Sequence, residues 1–405
     1  MSSAVIVSTA RTPIGRAFKG SLASVRPDDL TAGVIDAALA KLGDGFDRAQ
    51  LDDILIGCAE PSHEQGGNLA RRVGVQLGLD TVPGTTVNRF CASSVQTAAM
   101  AFHAIAAGEG DAFVSAGVES ISRYRQFFGA GQDDPTAHNP LFARAAERTA
   151  QRSGAWTDPR EDGELPDIYV AMGQTAENVA ALRGVSRAEQ DEYAVRSQAL
   201  AAKAIADGVF AREIAPVTLP DGTVMDTDES PRPGTTLEKI ADLPTPFQAN
   251  GTVTAGNCTP LSDGAAAVVI MSQELADQLG LTPLARIVAT GVSALSPEIM
   301  GLGPVGATRQ ALTRAGMTIG DIDLVEINEA FAAQVIASQR ELGIDPDRLN
   351  VHGGAIALGH PFGSTGARIM TTLINAMQLR DAQFGLETMC VGGGQGMAII
   401  LERLS

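Results

Sequence analysis

The stretch NVHGGAIALGHPFGSTGAR, residues 350–368, sets the reading of the whole chain. Gly353, Gly354 and Gly359 surround a short run of small apolar residues, and Pro361 restricts the backbone just after His360. Gly363, Ser364 and Thr365 then open a helix expected over 363–379, and RLNVHGG (348–354) leads into it. The first half of the chain contains the same event. GTTV (84–87) is extended, and NRFCASSVQTAAMAF (88–102) follows, with Cys91 at the first turn of a helix expected over roughly 92–107. Two such passages in one chain point to a duplicated α/β architecture.

Working outward, the first half reads as strand 4–10, helix 27–43, strand 52–58, helix 68–79, strand 84–87, the Cys91 helix, and strand 111–120. AAAVVIMS (265–272) is its expected last strand. The second half repeats the order: strand 285–291, helix 308–317, strand 321–328, helix 329–342, then the 348–379 passage. FGLETMCVGG and GMAIILERL close the chain as a hairpin. Identity between the halves is low, so the repeat rests on element order, which predicts two similar lobes related by a pseudo-twofold. Between them the pattern breaks. FGAGQDDPTAHNP and WTDPREDGELPD are polar and punctuated by Gly and Pro, with helices expected near 173–183 and 187–207. An excursion of this length suits a functional subdomain better than a linker. The expected organisation is an N-terminal lobe from 1–120 plus 251–273, an inserted loop subdomain at 121–250, and a C-terminal lobe at 274–405, with GTVTAGN (251–257) as the return to the first sheet.

Composition narrows the function. A chain of 405 residues with 44 glycines, 44% apolar and only 4% aromatic residues suits a compact protein cored by Ala, Val, Ile and Leu. A formal charge of −17 argues against nucleic acid and against a basic membrane-binding surface. An anionic ligand would need a local cluster of Arg or Lys. No apolar run is expected to span a membrane and no signal-peptide core is expected, so a cytoplasmic protein is anticipated. Cys58, Cys91, Cys258 and Cys390 are widely spaced without a CxxC pair, which suits reduced thiols and neither a disulfide framework nor a metal site.

Four places could carry chemistry. Cys91 at a helix N-terminus is expected to have a lowered thiol pKa, although a free cysteine is also a small buried hydrophobe. Cys390 ends a strand in TMCVGGGQG (388–396), where glycines expose N–H groups, or simply form a hairpin over a buried thiol. His360, in its Gly/Pro loop, can be a base or a hydrogen-bond donor; a lone histidine is otherwise structural, as His352 can be. Asn328, where strand becomes helix in NEAFA (328–332), is either a site residue or an N-cap.

Together, NRFCASSVQ, MGQTAENVA (172–180), GTVTAGN with LSDGAAA (251–267), EINEAFAAQ (326–334), NVHGGAIALGHPFGSTGAR and CVGGGQG (390–396) closely resemble the thiolases, in family order and over nearly the whole chain. The resemblance implies a layered αβαβα fold and acyl transfer at the bond beside a 3-keto group of an acyl-CoA. It implies Cys91 as acyl-accepting nucleophile, His360 as the group taking its proton, and Cys390 as the acid/base at the substrate α-carbon or CoA sulfur. It further implies Asn328 as the residue that positions a water in an oxyanion site with His360, and N–H groups of Cys91 and Gly392 as a second oxyanion site. Arg232 in SPRPGTTLEK would lie near the nucleotide end of CoA, although it is equally a solvated loop charge. Ala255 and Thr259 would line the pantetheine tunnel, and Met172 and Phe331 would contact substrate.

The chemistry explains the set. Cleavage leaves an acetyl-CoA enolate that fixed donors must stabilise, and an acyl-cysteine divides the reaction into two transfers. No metal and no resident cofactor is implied, and CoA enters as a substrate. Three positions depart from the family pattern: Ser94 stands where glycine is common, Ala171 where some biosynthetic members have histidine, and Thr259-Pro260 where Ser-Gly is usual. All are expected where acyl or pantetheine groups pack. With the long Tyr124–Val170 segment, they suggest a degradative enzyme of fatty-acid β-oxidation that takes medium, long or bulky 3-ketoacyl chains. Claisen condensation to acetoacetyl-CoA and a catalytically silent acyl-CoA or sterol carrier are the alternatives. A homodimer or homotetramer is expected, and a β-oxidation multienzyme partner is compatible with this reading.

Overall fold

The computed structural model describes residues 2–128, 138–151 and 155–405. Its strands are β1 (Ala4–Arg11), β2 (Gly15–Arg16), β3 (Asp53–Gly57), β4 (Gly84–Val87), β5 (Ala112–Ser120), β6 (Val217–Thr218), β7 (Val224–Met225), β8 (Ser262–Ser272), β9 (Ala285–Ala294), β10 (Leu324–Ile327), β11 (Phe384–Val391) and β12 (Gln395–Arg403). The helices are α1 (Pro27–Ala40), α2 (Leu69–Gln76), α3 (Ser93–Ala107), α4 (Ile121–Phe128), α5 (Ala143–Gln151), α6 (Met172–Arg183), α7 (Arg187–Ala206), α8 (Leu237–Ala241), α9 (Gln273–Gln278), α10 (Gly303–Ala315), α11 (Ala332–Leu342), α12 (Ala355–Leu358) and α13 (Thr365–Leu379).

The main sheet runs β10-β11-β12-β9-β1-β8-β5-β3-β4, and β2 and β8 pair off this path. Its two ends mirror each other. Parallel β4-β3-β5 is followed by antiparallel β8 and β1, and parallel β10-β11 by antiparallel β12 and β9. Even the counterpart of β4 survives, as a parallel bridge from Leu349 to Val325. Within the main sheet β1 and β9 join the two halves, pairing Val5 with Arg286 and Ile6 with Ala285.

Alternation along the strands explains the layers. Val5, Val7, Ile54 and Ile56 face α1 and α2 in one core, whereas Ala4, Ile6 and Leu55 face α3 and α13 in another. Met389, Val391, Met397 and Ile399 press on α3 and α13 from the other side, while Val325, Ile327, Leu386 and Ile400 face α10 and α11. The result is five layers, αβαβα, with α3 and α13 in the middle. These helices approach closely because residue 366 is glycine: a Cβ there would lie 2.6 Å from the Val95 nitrogen. The central position of α3 corrects one expectation. Phe90–Ala107 is long and apolar enough to cross a membrane, with a mean hydropathy of 1.2, but here it is the core helix between two sheet halves.

Two boundaries differ from the sequence reading. α10 begins at Gly303, five residues before the expected start, because Pro304 fits the first helical turn, where its missing N–H costs nothing. α11 begins at Ala332, with extended Phe331 as its N-cap, so Asn328 is not the cap of that helix. GTVTAGN forms turns, and the chain re-enters the sheet at Ser262. Among the described residues, 121–250 contributes α4 to α8 and the small β6–β7 ribbon but no strand to the main sheet. Residues 129–137, most of the first polar stretch, and 152–154 lie outside the described residues.

Candidate active site

Cys91 lies in a 3-10 turn, Phe90–Ala92, that leads into α3. Phe90 holds a φ of +46°, a left-handed conformation that a bulky residue adopts only under restraint from its surroundings. The restraint is visible: Asn88 Oδ1 accepts the Phe90 N–H at 2.8 Å, and Ser93 Oγ accepts the Arg89 N–H at 2.9 Å. The turn packs against β11 and against a second 3-10 turn, Phe362–Ser364, that leads into α13.

The N–H of Gly392 and the backbone N–H of Cys91 itself lie near enough to the Cys91 sulfur to favour its thiolate, and Cys390 lies close enough for the two thiols to interact. Burial raises the Cys91 thiol to about 12; the two N–H groups offset this only in part, and the nearby Glu119 adds to it. The drop in pKa expected from helix position is therefore reversed, because desolvation outweighs the partial charge of the helix end. Cys390 is likewise pushed well above the usual thiol range by burial, and then by Cys91. At neutral pH both are thiols, and neither ionises without a base.

His360 is a buried imidazole, and its surroundings fix its charge and its tautomer. Burial holds its pKa down to about 3, and Arg368 contributes in the same direction, so the ring is neutral. Thr365 Oγ1 donates to the Pro361 carbonyl at 2.9 Å and stands 2.6 Å from His360 Nδ1. Having spent its hydrogen, the hydroxyl accepts from Nδ1–H, which leaves the lone pair on Nε2. Asn328 Nδ2 donates to that nitrogen at 3.2 Å, while Asn328 Oδ1 is buried with no protein partner. Gln334 Nε2 fixes the Asn328 carbonyl, and the Asn328 N–H bonds Thr388. Asn328 thus spans β10, β11 and the histidine loop.

Cys390 shares an apolar cluster with Phe331, Ala176, Val253, Ala330 and Met300, and Cys258 packs against that cluster. Cys258 is bridged to Phe331 and also lines a cavity of about 310 Å³ with Arg232, Lys239, Ala255, Gly256 and Pro260. Burial raises the Cys258 thiol to about 11, opposed by the charge of Arg232. Arg232 and Lys239, both exposed, thus share a cavity with Cys258, which packs on the Cys390 cluster, an arrangement that suits an anionic molecule with a long arm.

Among the expected site residues, Cys91, Gly392 and Cys390 cluster, His360 and Asn328 are paired, and Phe331 borders Cys390. Arg232 and Ala255 line the cavity. Thr259 does not: its hydroxyl turns to the Ala355 carbonyl at 2.8 Å, and its neighbours Cys258 and Pro260 form the wall instead. Met172 is exposed at the start of α6, near the cluster only through Ala176. Ser94 is fully buried and accepts the Ala367 N–H at 3.0 Å, so it couples α3 to α13 and does not face a ligand. Sequence reasoning missed Thr365 and Lys239. Both lie inside motifs already quoted, GSTGAR and SPRPGTTLEK, but only the fold shows what they face.

Residues 4–274 match the model of the thiolase N-terminal domain and 281–403 that of the thiolase C-terminal domain. The chain is 45% identical to a 3-ketoacyl-CoA thiolase of Bacillus subtilis (strain 168), over 99% of this chain and 100% of that protein. It is 43% identical to the 3-oxoadipyl-CoA/3-oxo-5,6-dehydrosuberyl-CoA thiolase of Escherichia coli (strain K12), over the full length of both. The crystal structure of the Bacillus anthracis acetyl-CoA acetyltransferase superposes with a TM-score of 0.87 at 38% identity, covering 100% of this chain and 99% of that one. With the fold, the paired thiols and these matches along its length, the chain belongs to the thiolase family, enzymes that transfer acyl groups between acyl-CoA and CoA.

Proposed function

We propose that this thiolase works in the degradative direction, cleaving 3-ketoacyl-CoA with CoA to acetyl-CoA and a shortened acyl-CoA, and that it favours medium, long or bulky acyl chains. The observation that carries the chemistry is the Cys91 sulfur near the Gly392 N–H and beside Cys390, with a neutral, oriented His360 in the same buried region. In the first transfer His360 Nε2 takes the Cys91 proton and Sγ attacks the 3-keto carbon. The bond between C2 and C3 breaks, leaving acyl-Cys91 and an acetyl-CoA enolate that Cys390 protonates. In the second, Cys390 takes the proton of an incoming CoA thiol, whose sulfur attacks the acyl-Cys91 carbonyl and releases Cys91. Asn328 and His360 would serve one developing oxyanion through a water, and the N–H groups of Cys91 and Gly392 the other. Arg232 and Lys239 would receive CoA phosphates, and residues 121–250 would cover the bound substrate.

A cavity of about 420 Å³, lined by Phe142, Leu165, Ile168 and Leu295 but also by Asp158 and Arg160, supports the preference for larger, or bulky and partly polar, acyl groups. It abuts the turn after Cys390. A Cβ at Gly393 would stand 3.7 Å from Ile168 and 3.8 Å from the Phe90 ring, and one at Gly394 would meet Pro297. The relative of Bacillus subtilis, named a 3-ketoacyl-CoA thiolase, supports the same direction. A panel of 3-ketoacyl-CoAs from four carbons upward tests the reading. The kcat/KM for thiolysis is expected to rise beyond acetoacetyl-CoA; turnover of acetoacetyl-CoA alone would refute the chain-length preference and favour the condensation reading.

A further inference from the structure

Glu119, the penultimate residue of β5, is a fully buried carboxylate that the chemistry above does not use. Its Oε2 accepts the N–H of Ala59 at 2.8 Å and of Gly363 at 2.9 Å. Its Oε1 accepts the Glu60 N–H at 3.2 Å and the Gln65 amide at 2.9 Å, with the Cys58 sulfur 3.8 Å away. Gln65 cannot turn over without loss, because its own oxygen is held by the Ser120 N–H at 2.5 Å. The donors come from three separate segments, and the two on Oε2 lead to opposite sides of the active site.

One side leads to the nucleophile. The Ala59 carbonyl accepts from Asn88 Nδ2 at 3.0 Å, and Asn88 Oδ1 holds the N–H of Phe90, the strained residue just before Cys91. The other side leads to the base. Gly363 follows His360 by three residues, and Pro361 between them anchors Thr365, which orients the imidazole. The contact is tight: a Cβ at Gly363 would lie 2.4 Å from the Val118 carbonyl oxygen. We propose that Glu119 is a positioning residue: its Oε2 bridges the Cys91 arm and the His360 arm, fixing the separation across which the thiol proton moves. The inference rests on the roles given to Cys91 and His360 in the proposed function. Burial raises Glu119 to about 7, with four N–H donors supporting the ionised form, and its charge near Cys91 helps keep that thiol protonated until the base takes the proton.

The test is a double-mutant cycle in the full-length enzyme, reading alkylation of Cys91 by iodoacetamide through peptide mass spectrometry. Glu119→Gln keeps the shape of the side chain but breaks the bridge, since its NH2 faces two N–H donors whichever way the amide lies. It is expected to slow Cys91 about tenfold when His360 is present. In a His360→Ala background it is expected to slow Cys91 no further, because the second arm no longer carries a base. A purely structural role would slow both backgrounds by the same factor, and that outcome, or no slowing in either, overturns the inference. A His360→Ala protein whose Cys91 reacts at the wild-type rate overturns the pairing itself. If Glu119→Gln does not fold, Asn88→Ala carries the test: it breaks the same relay at an exposed residue and should show the same dependence on His360.

Discussion

The two turns that open the central helices are built alike and used differently. Phe90–Ala92 leads into α3 and Phe362–Ser364 into α13, each turn starting at a phenylalanine, and the two turns pack on each other. In the first, the middle residue is Cys91, partly accessible behind a strained Phe90. In the second it is Gly363, buried against the Val118 carbonyl with no room for a side chain. The histidine stands three residues earlier, outside its turn. One half thus offers a thiol from within the turn, the other an imidazole from the approach to it, which the proposed function uses as nucleophile and base. A symmetric pair of thiols here would lack a proton acceptor.

Exchanging what the two turns can tolerate breaks the comparison most sharply. Cys91→Ala is expected to abolish thiolysis, by about 10⁴-fold or more, with an unchanged melting temperature. Gly363→Ala should act on stability instead. Its methyl group has to displace backbone, so a loss of about 2–3 kcal/mol is expected by chemical denaturation. Equal effects of the two alanines on stability would mean that the turns do not differ as described.

A smaller effect probes the approach to the second turn. Thr365→Val keeps shape and helix propensity while removing the acceptor that places the proton on His360 Nδ1. A loss of about 10- to 100-fold in kcat is expected, with the KM for CoA nearly unchanged. A larger change in KM than in kcat would assign Thr365 to binding.

The fold was legible because each half carries its own periodicity. All five expected first-half strands and the α3 and α13 passages stand within a few residues of their expected places, and their order alone implied the duplication. Three things were not legible. The α10 start was hidden by Pro304, which reads as a helix breaker but sits where a proline is harmless. The direction of the Cys91 shift was misread because sequence shows a helix end but not how completely the sulfur is desolvated. Thr259 and Ser94 were expected to face ligand, yet their hydroxyls are consumed by Ala355 and Ala367, contacts made across about a hundred residues or more of chain.

The least expected difference between the halves lies one residue before their strand ends. Ile56 pairs with Ala116 in the first half, whereas at the matching places Glu326 pairs with Glu387, beneath Arg368. Burial raises Glu326 to about 8, opposed by Arg368 and reinforced by Glu329, and burial drives Glu387 up as well. The sign of the consequence follows from proton counts. Between the ordinary carboxylate range and about pH 8 the folded protein keeps a proton on Glu326 that the unfolded chain has released. Stability from this group is therefore lost as pH rises through that window. Glu326→Gln cannot ionise, so its stability relative to wild type should grow from near zero at pH 5 to a gain at pH 8. Each unit of displaced titration is worth about 1.4 kcal/mol, and even a partial effect would be visible in paired urea titrations at the two pH values. A gain of the same size at both pH values would mean that the amide merely packs better. A loss at pH 8 would mean that Arg368 holds Glu326 ionised and that the second half, unlike the first, depends on a buried charge pair.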